Sequence, residues 1–454
     1  MEYKIEKDSM GFVEVPENVY WGAQTQRSLN NFKIGKDLMP IEIIKAIALL
    51  KGACAIVNFN NGDLNKEKKD AIVQCAIEII DGKLNSNFPL KVFQTGSGTQ
   101  TNMNVNEVIS NRANEILSKN SIHPNDDVNM SQSSNDIFPS AMHIASVVKI
   151  STKLIPAMED IIKTFETLEE KYNDVIKIGR THLQDATPIK FSQELSGYRE
   201  MINVNLNMIK ESLQGLLSLA IGGTAVGTGI NAKPGFGDKV CDVLKTKTGF
   251  DFYSSKNKFH SLTSKDQIGY AHGALKALAC NLFKLGTDIK LLSSGPRCGF
   301  GEIKIPQNEP GSSIMPGKTN PTQTEALTMA CVQVMGNDTT ISIAAASGNF
   351  ELNAFMPLII NSFLNSVDLL ADSIKSFNNN CLMGIEPKKD VIDEHLKNSL
   401  MLVTALNPVI GYENSAKISN LAYKENISLK EAALKLKLVD EEDFDKIVDV
   451  TKMV

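Results

Sequence analysis

Ten residues, Gly311 to Asn320 (GSSIMPGKTN), place two serine hydroxyls, a cation and a carboxamide around a glycine-flanked turn that runs straight into Pro321. Gly311 and Gly317 permit backbone angles that strain other residues, so the segment can move or approach a ligand closely. Ser312 and Ser313 supply hydroxyls. Lys318 brings a flexible positive charge able to pair with a carboxylate or with negative charge that develops during a reaction. Asn320 offers an amide to a ligand and also reads as a helix start, with proline at the first helical position and Gln323 three residues on. Ala326, Leu327, Ala330, Cys331 and Val334 then recur at helical spacing, so the loop feeds a helix whose N-terminal end favours an anion. Such a set suits a small dicarboxylate, although a surface turn capping a helix would use the same residues.

Three further segments carry comparable chemistry. Gln94 to Glu107 (QTGSGTQTNMNVNE) crowds Ser97, Thr99, Gln100, Thr101, Asn102, Asn104 and Asn106 into one stretch of neutral donors, either to hold carboxylates or to cap a helix running through Val105, Ile109 and Ala113. His123 to Asp136 (HPNDDVNMSQSSND) contains a polar knot, His123, Asn125 and Asp126. Downstream, Ser133, Ser134 and Asn135 precede Pro139 and a helix, so hydroxyls and backbone N–H groups can converge on an anion. Gly179 to Pro188 (GRTHLQDATP) reads as a polar loop holding His182, one of six histidines and a natural proton carrier near neutrality. Glu325 is a carboxylate suited to raising its basicity. Gly227, Gly229 and Ala232 formally fit a dinucleotide fingerprint, but Lys233-Pro234-Gly235 interrupts the helix it requires, and the P-loop spacing from Gly222 to Gly227 lacks its lysine.

The elements that must position these groups read as helices. Met158, Ile161, Ile162, Phe165 and Leu168 mark one face of a helix expected to start after Pro156, and long helical stretches follow near 193–220, 264–293, 321–346 and 355–378. They are long and apolar enough for a helical bundle that carries the core. The expected division is an N-terminal, mainly helical domain over 1–133, a central bundle over 134–389, and a small helical C-terminal domain over 390–454 whose run Asp440 to Asp445 is solvated. At 454 residues the chain suffices for two or three domains, and 42% hydrophobic with 22% charged residues fits an ordinary globular protein. A net charge of -5 excludes a basic field for nucleic acid or acidic membranes. Seven scattered cysteines without a CxxC pair point to buried free thiols and no local metal cluster. The N-terminus MEYKIEKDSM matches neither a signal nor a transit peptide, and no apolar run approaches a membrane span, so a cytoplasmic protein is expected.

Together these segments resemble the fumarase/aspartase superfamily, and within it the class II, iron-independent fumarate hydratases, from about Val19 to Gly411 and on toward the C-terminus. GSSIMPGK followed by NPTQTEALTM and VMGND is the most diagnostic piece, because Gly317 and the TQ-x-EALTM continuation look like fumarase rather than aspartase. QTGSGTQ, NMNVNE, VNMSQSSND and GRTHLQDATP agree.

The resemblance implies an all-α, three-domain subunit, a homotetramer with active sites shared between three chains, a small dicarboxylate (fumarate or L-malate) as partner, and neither metal nor organic cofactor. Carried over by motif, Ser313 is the base that removes the C3 proton of malate, and His182 with Glu325 acts through a water. Lys318, Asn320 and the backbone at Ile314 receive the developing charge. Ser97, Gly98, Thr99, Thr181, Ser133, Ser134 and Asn135 bind the carboxylates, and His123, Asn125 and Asp126 match a second dicarboxylate site. Departures from the family's pattern are Thr319 for valine, Asp127 for histidine, Thr101 for serine and Phe93 for tryptophan. Aspartate ammonia-lyase remains the alternative within the superfamily, and a non-catalytic scaffold lies outside enzymology.

Overall fold

Segments with apolar residues at helical spacing fold as helices, and strands are confined to two-stranded pairs, in a computed structural model that describes residues 2–454. An antiparallel hairpin, β1 (Tyr3–Asp8) and β2 (Gly11–Pro16), precedes α1 (Ala23–Asn31), α2 (Ile41–Asn60), α3 (Lys66–Ile80), α4 (Thr99–Leu117) and α5 (Ser134–Lys149). A π-helical turn over 150–154 carries α5 unbroken into α6 (Ile155–Lys171). The helix expected to begin after Pro156 therefore begins far upstream. In that wider turn the Ile155 N–H reaches the Ile150 carbonyl, which accommodates a proline with no N–H to give. Met158, Ile161, Phe165 and Leu168 are buried as expected, and Ile162 is half-buried.

A second hairpin, β3 (Ile176–Thr181) and β4 (Gln184–Lys190), leads into α7 (Phe191–Leu216), α8 (Phe236–Thr248), α9 (Lys258–Thr263), α10 (Asp266–Leu292), α11 (Thr322–Ala346), α12 (Met356–Asn380) and α13 (Lys389–Asn398). The long helices α7, α10, α11 and α12 fall where the periodicity puts them. Short helices complete the C-terminus.

The chain divides into two compact units. One comprises the residues up to Pro156 with Asn205–Ala279 and Val332–Ala371, and the other Ala157–Val204, Cys280–Cys331 and Asp372–Val454. In the first, α2 is apolar on nearly every face, and an all-round apolar helix must be enclosed: it packs against α3, α4, α5 and α8. In the second, Phe165 and Tyr198 meet at 6.4 Å and Tyr172 and Phe191 at 5.9 Å, while Leu402, Val403, Leu406, Ile418 and Phe444 form a C-terminal cluster with Ile178. The run Asp440 to Asp445 thus turns Phe444 inward. Five cysteines are buried, but Cys280 and Cys298 are exposed, because their helix and loop positions face away from the core.

Candidate active site

In the first unit, Gly98 begins α4 with φ +72°, and a Cβ there would lie 2.2 Å from the buried ring of Phe138. Only glycine lets the QTGSGTQ turn sit this close to α5. Ser97 Oγ and Thr99 Oγ1 are 2.8 Å apart at its edge. Across from it, Ser133 caps α5: its hydroxyl accepts from Asn135 N at 3.2 Å, and Asp136 Oδ1 accepts from Ser133 N at 2.9 Å. The other oxygen of the fully buried Asp136 accepts from Gly222 N and Thr224 N, both at 3.0 Å, and Asn135 Nδ2 donates to Ala225 O at 2.8 Å. The glycine-rich segment weighed as a nucleotide loop is thus a strap closed over Asp136. Burial pushes the Asp136 carboxyl up, against the pull of those three N–H donors.

Beneath this surface lies a network centred on Lys51, Asn129 and Gln132, three residues to which the motifs assign no role. Asn102 Nδ2 donates to Ser134 Oγ at 3.0 Å and to Asn129 Oδ1 at 3.2 Å; Asn129 Oδ1 also accepts from Asn106 Nδ2 at 3.1 Å and from Lys51 Nζ at 2.7 Å. Lys51 is fully buried, also donates to Gln132 Oε1 at 2.9 Å, and burial pulls its ammonium down to about 7. One signal in the chain marks it: a single cation interrupts the apolar run ALLKGACAIV. Thr101, Asn102, Asn104 and Asn106, weighed between holding carboxylates and capping a helix, are buried and bonded within the protein, Asn104 to Asn87 O at 3.0 Å and Thr101 to Gln94 Oε1 at 2.8 Å. Helix geometry turns them inward, leaving Ser97, Thr99, Ser133, Ser134 and Asn135 partly exposed.

His123, Asn125 and Asp126 stand together on the surface. His123 Nδ1 lies 3.3 Å from Asn125 N, 3.2 Å from Asp126 N and 3.2 Å from Asp126 Oδ2, and a π-helical turn spans Pro124–Val128. Asp127 has a structural task here, accepting from His123 N at 2.8 Å and pairing with Lys68 at 2.7 Å.

In the second unit, GRTHLQDATP is a hairpin rather than a loop. His182 and Leu183 form its two-residue turn with φ +57° and +59°, and Thr181 pairs with Gln184. Such a turn favours Asn-Gly, and a leucine there is strained, so local preference is overridden to hold the imidazole at an exposed apex. Behind the apex, the fully buried Glu302 accepts from Arg180, lies 3.1 Å from His395 Nδ1 and 3.3 Å from Lys177 Nζ, and Lys177 also pairs with Glu194 at 3.2 Å. Burial raises the Glu302 carboxyl, but the Arg180 hydrogen bond and the Lys177 charge outweigh it and hold it below the ordinary glutamate value. This ionic anchor fixes the strand that presents Thr181 and His182.

The loop over 311–320 is locked at its base and open at its tip. Gly311 N donates to Lys318 O at 2.8 Å and Asn320 Nδ2 donates to Gly311 O at 2.7 Å; a Cβ on Gly311 would come within 2.7 Å of Lys318 O. Asn320 therefore turns back to the loop rather than capping a helix. Pro321 O accepts from Thr324 N at 3.1 Å and Glu325 N at 3.2 Å, so α11 starts one residue later than expected, and Glu325 is exposed in its first turn. Ser312 Oγ accepts from Ile314 N at 3.2 Å and Met315 N at 3.0 Å, whereas Ser313, Ile314 and Lys318 face solvent, Ile314 at 83% exposure. Among the described residues no hydrogen bond or ion pair joins Ser313, His182 and Glu325 within one chain, and none engages the side chain of Ser313 or Lys318.

Against known proteins, a family model described as lyase matches residues 11–336, and one described as fumarase C C-terminus matches 402–454. The chain is 58% identical to a class II fumarate hydratase of Bacillus subtilis over 458 residues and 59% identical to one of Campylobacter jejuni over 459, each covering 100% of this chain and 99% of the relative. A crystal structure of recombinant class II fumarase from Schistosoma mansoni superposes with a TM-score of 0.98 at 42% identity, covering 100% of this chain and 99% of that one. A fumarate lyase:delta crystallin from Brucella melitensis bound to cobalt gives 0.95 at 37%, with the same coverage. The chain belongs to the lyase family of the fumarase/aspartase superfamily, and within it to the class II fumarate hydratases.

Proposed function

We propose that this chain catalyses the reversible, stereospecific addition of water to fumarate, giving L-malate. The observation that carries the reading is the loop over 311–320, pinned at Gly311 and Asn320 while, among the described residues, the Ser313 hydroxyl and the Lys318 ammonium are left unengaged at its exposed tip. In the dehydration direction Ser313 takes the C3 proton of malate. The electron pair spreads into the adjacent carboxylate, where Lys318 and the loop backbone supply opposing charge and donors. His182, with Glu325, protonates the departing C2 hydroxyl through a water, and in hydration the same pair activates that water. Ile314 N–H is held by Ser312 and Asn320 Nδ2 by Gly311, so both exchange these bonds for the substrate carboxylate when the loop closes.

Ser97, Gly98, Thr99, Thr181, Ser133, Ser134 and Asn135 hold the carboxylates, and His123, Asn125 and Asp126 form an auxiliary dicarboxylate site. Three catalytic side chains without partners among the described residues of their own chain favour a homotetramer whose sites are completed by neighbouring subunits, with 134–389 as its bundle, flanked by 1–133 and 390–454. A cytoplasmic location accords with a chain in which, among the described residues, no helix is long and apolar enough to cross a membrane.

Loss of fumarate ultraviolet absorbance without added ammonium is the expected result; a requirement for ammonium would make the enzyme an aspartate ammonia-lyase instead. Ser313→Ala and His182→Asn should each remove most turnover with the oligomer intact, and near-normal rates in either would refute its role.

A further inference from the structure

The first unit contains a second concavity that none of the candidate site residues lines. Helices α2, α3, α5 and α8 border a groove of about 660 Å³, within the roughly 300–1,000 Å³ typical of small-molecule sites. Its walls are aliphatic: Leu49 and Ile56 from α2, Val73 and Ile77 from α3, Ile144 and Val148 from α5. Depth comes from small residues, because Gly52 and Ala76 face one another so closely that a Cβ on Gly52 would touch Ala76 at 3.4 Å. Ile77, half-exposed, marks where the groove opens to solvent.

The rim has a sign. Lys45, Lys149, Lys153 and Lys247 border the cavity with only Glu42 and Asp368 as counter-charges. Lys149 spans both carboxylates, at 2.6 Å from Glu42, and Lys153 pairs with Asp368 at 2.6 Å. Those acids are therefore committed. Among the described residues the side chains of Lys45 and Lys247 make no ion pair or hydrogen bond, which leaves two cations at the mouth of an apolar cleft. Such an arrangement selects a ligand with a long aliphatic body and one anionic end. Sugars and nucleotides are poor fits, since no amide side chain lines the walls, Thr152 and Thr248 supply the neutral hydroxyls, and Phe250 is the aromatic side chain present.

We propose that this cavity binds an unbranched fatty acid, its chain lying between α2, α3 and α5 and its carboxylate meeting Lys45 and Lys247. Binding is driven by removing methylenes from water and oriented by the two free ammonium groups. Nothing in this assignment depends on the reaction proposed above.

Calorimetric titration of the assembled, full-length protein with octanoate, decanoate and dodecanoate, each kept below its micelle concentration, tests it. One molecule should bind per chain, with affinity rising about fourfold for each added methylene. Decan-1-ol should bind more weakly than decanoate. Lys45→Glu combined with Lys247→Glu should weaken decanoate about tenfold and leave decan-1-ol and fumarate turnover unchanged. Ile77→Trp, at the half-exposed opening, should weaken both probes. Absence of saturable binding, affinity independent of chain length, equal decanoate affinity in the charge-reversed variant, or dissociation of the oligomer as the probe binds, which would mean that another copy of the chain covers the groove, would each overturn the proposal.

Discussion

Lys51→Met keeps an unbranched side chain of similar reach and removes an ammonium that is fully buried in α2 and donates to Asn129 and Gln132. Burial pulls that ammonium from 10.5 to about 7, against the opposing pull of Cys54 and Asp136. The unfolded chain holds the proton at the ordinary lysine value, so the folded protein binds it less tightly. Stability carried by this group is therefore greatest above pH 10.5, falls as pH drops toward about 7, and stays low below that. At ~1.4 kcal/mol per pH unit the whole window corresponds to ~5 kcal/mol, of which ~3 kcal/mol lies between about pH 9 and about pH 6. Losing two hydrogen bonds costs the variant ~1 kcal/mol each at either pH, and that cost cancels in the difference. Urea midpoints at fixed protein concentration, followed by circular dichroism, give the two pH dependences. The wild type should lose ~3 kcal/mol more than Lys51→Met between about pH 9 and about pH 6. Parallel losses within ~1 kcal/mol would mean that the network of Asn129, Gln132 and Asp136 keeps the ammonium charged, and the reasoning from burial fails.

Gly98→Ala should destabilise the protein by ~2–4 kcal/mol, combining overpacking against Phe138 with left-handed backbone strain; an unchanged melting temperature would contradict the 2.2 Å approach. Glu302→Gln leaves the buried Lys177 and the half-buried Arg180 without their shared carboxylate and should cost ~3–5 kcal/mol in urea unfolding. Because the Glu302 carboxyl is held below its ordinary value, its contribution is present above that value and lost as pH falls, so the variant should also be less acid-sensitive than the wild type; equal acid sensitivity would refute this. Leu183→Asn, relieving a leucine at φ +59° in the turn beside His182, should raise the melting temperature through ~1 kcal/mol of strain removed, and a lower value would show that Leu183 packs in the assembly.

The long helices were legible because their period is written along each segment: α10, α11 and α12 need nothing beyond their own apolar spacing to be recognised. The motif residues were legible as clusters for a similar reason, since Ser312, Ser313, Lys318 and Asn320 share one short loop. What supports them was not. Lys51 meets Asn129 across 78 positions of sequence and Arg180 meets Glu302 across 122, and pairing at that distance leaves no local pattern. The hairpin at His182 was hidden for a different reason: its turn residues contradict the glycine-rich chemistry such turns favour, as happens where a site overrides local preference. The same limit made Asn102 and Asn106 look like ligand donors, when the helix that carries them aims them at Asn129.

The interleaving of the two units along the chain sets the order in which this protein can be made. The first unit opens at the N-terminus yet draws its last stretch from Val332–Ala371, so its folding cannot finish until Ala371 has left the ribosome. At ~5–20 residues per second, the wait between emergence of Pro156 and that moment is roughly 10–40 s. Until Thr248 has emerged, α2 lacks α8, one of the helices that cover it, and the aliphatic surface it carries is open to chaperones or to another nascent chain. A translation stop before residue 371 leaves neither unit complete, so truncated products are substrates for proteolysis rather than stable half-proteins.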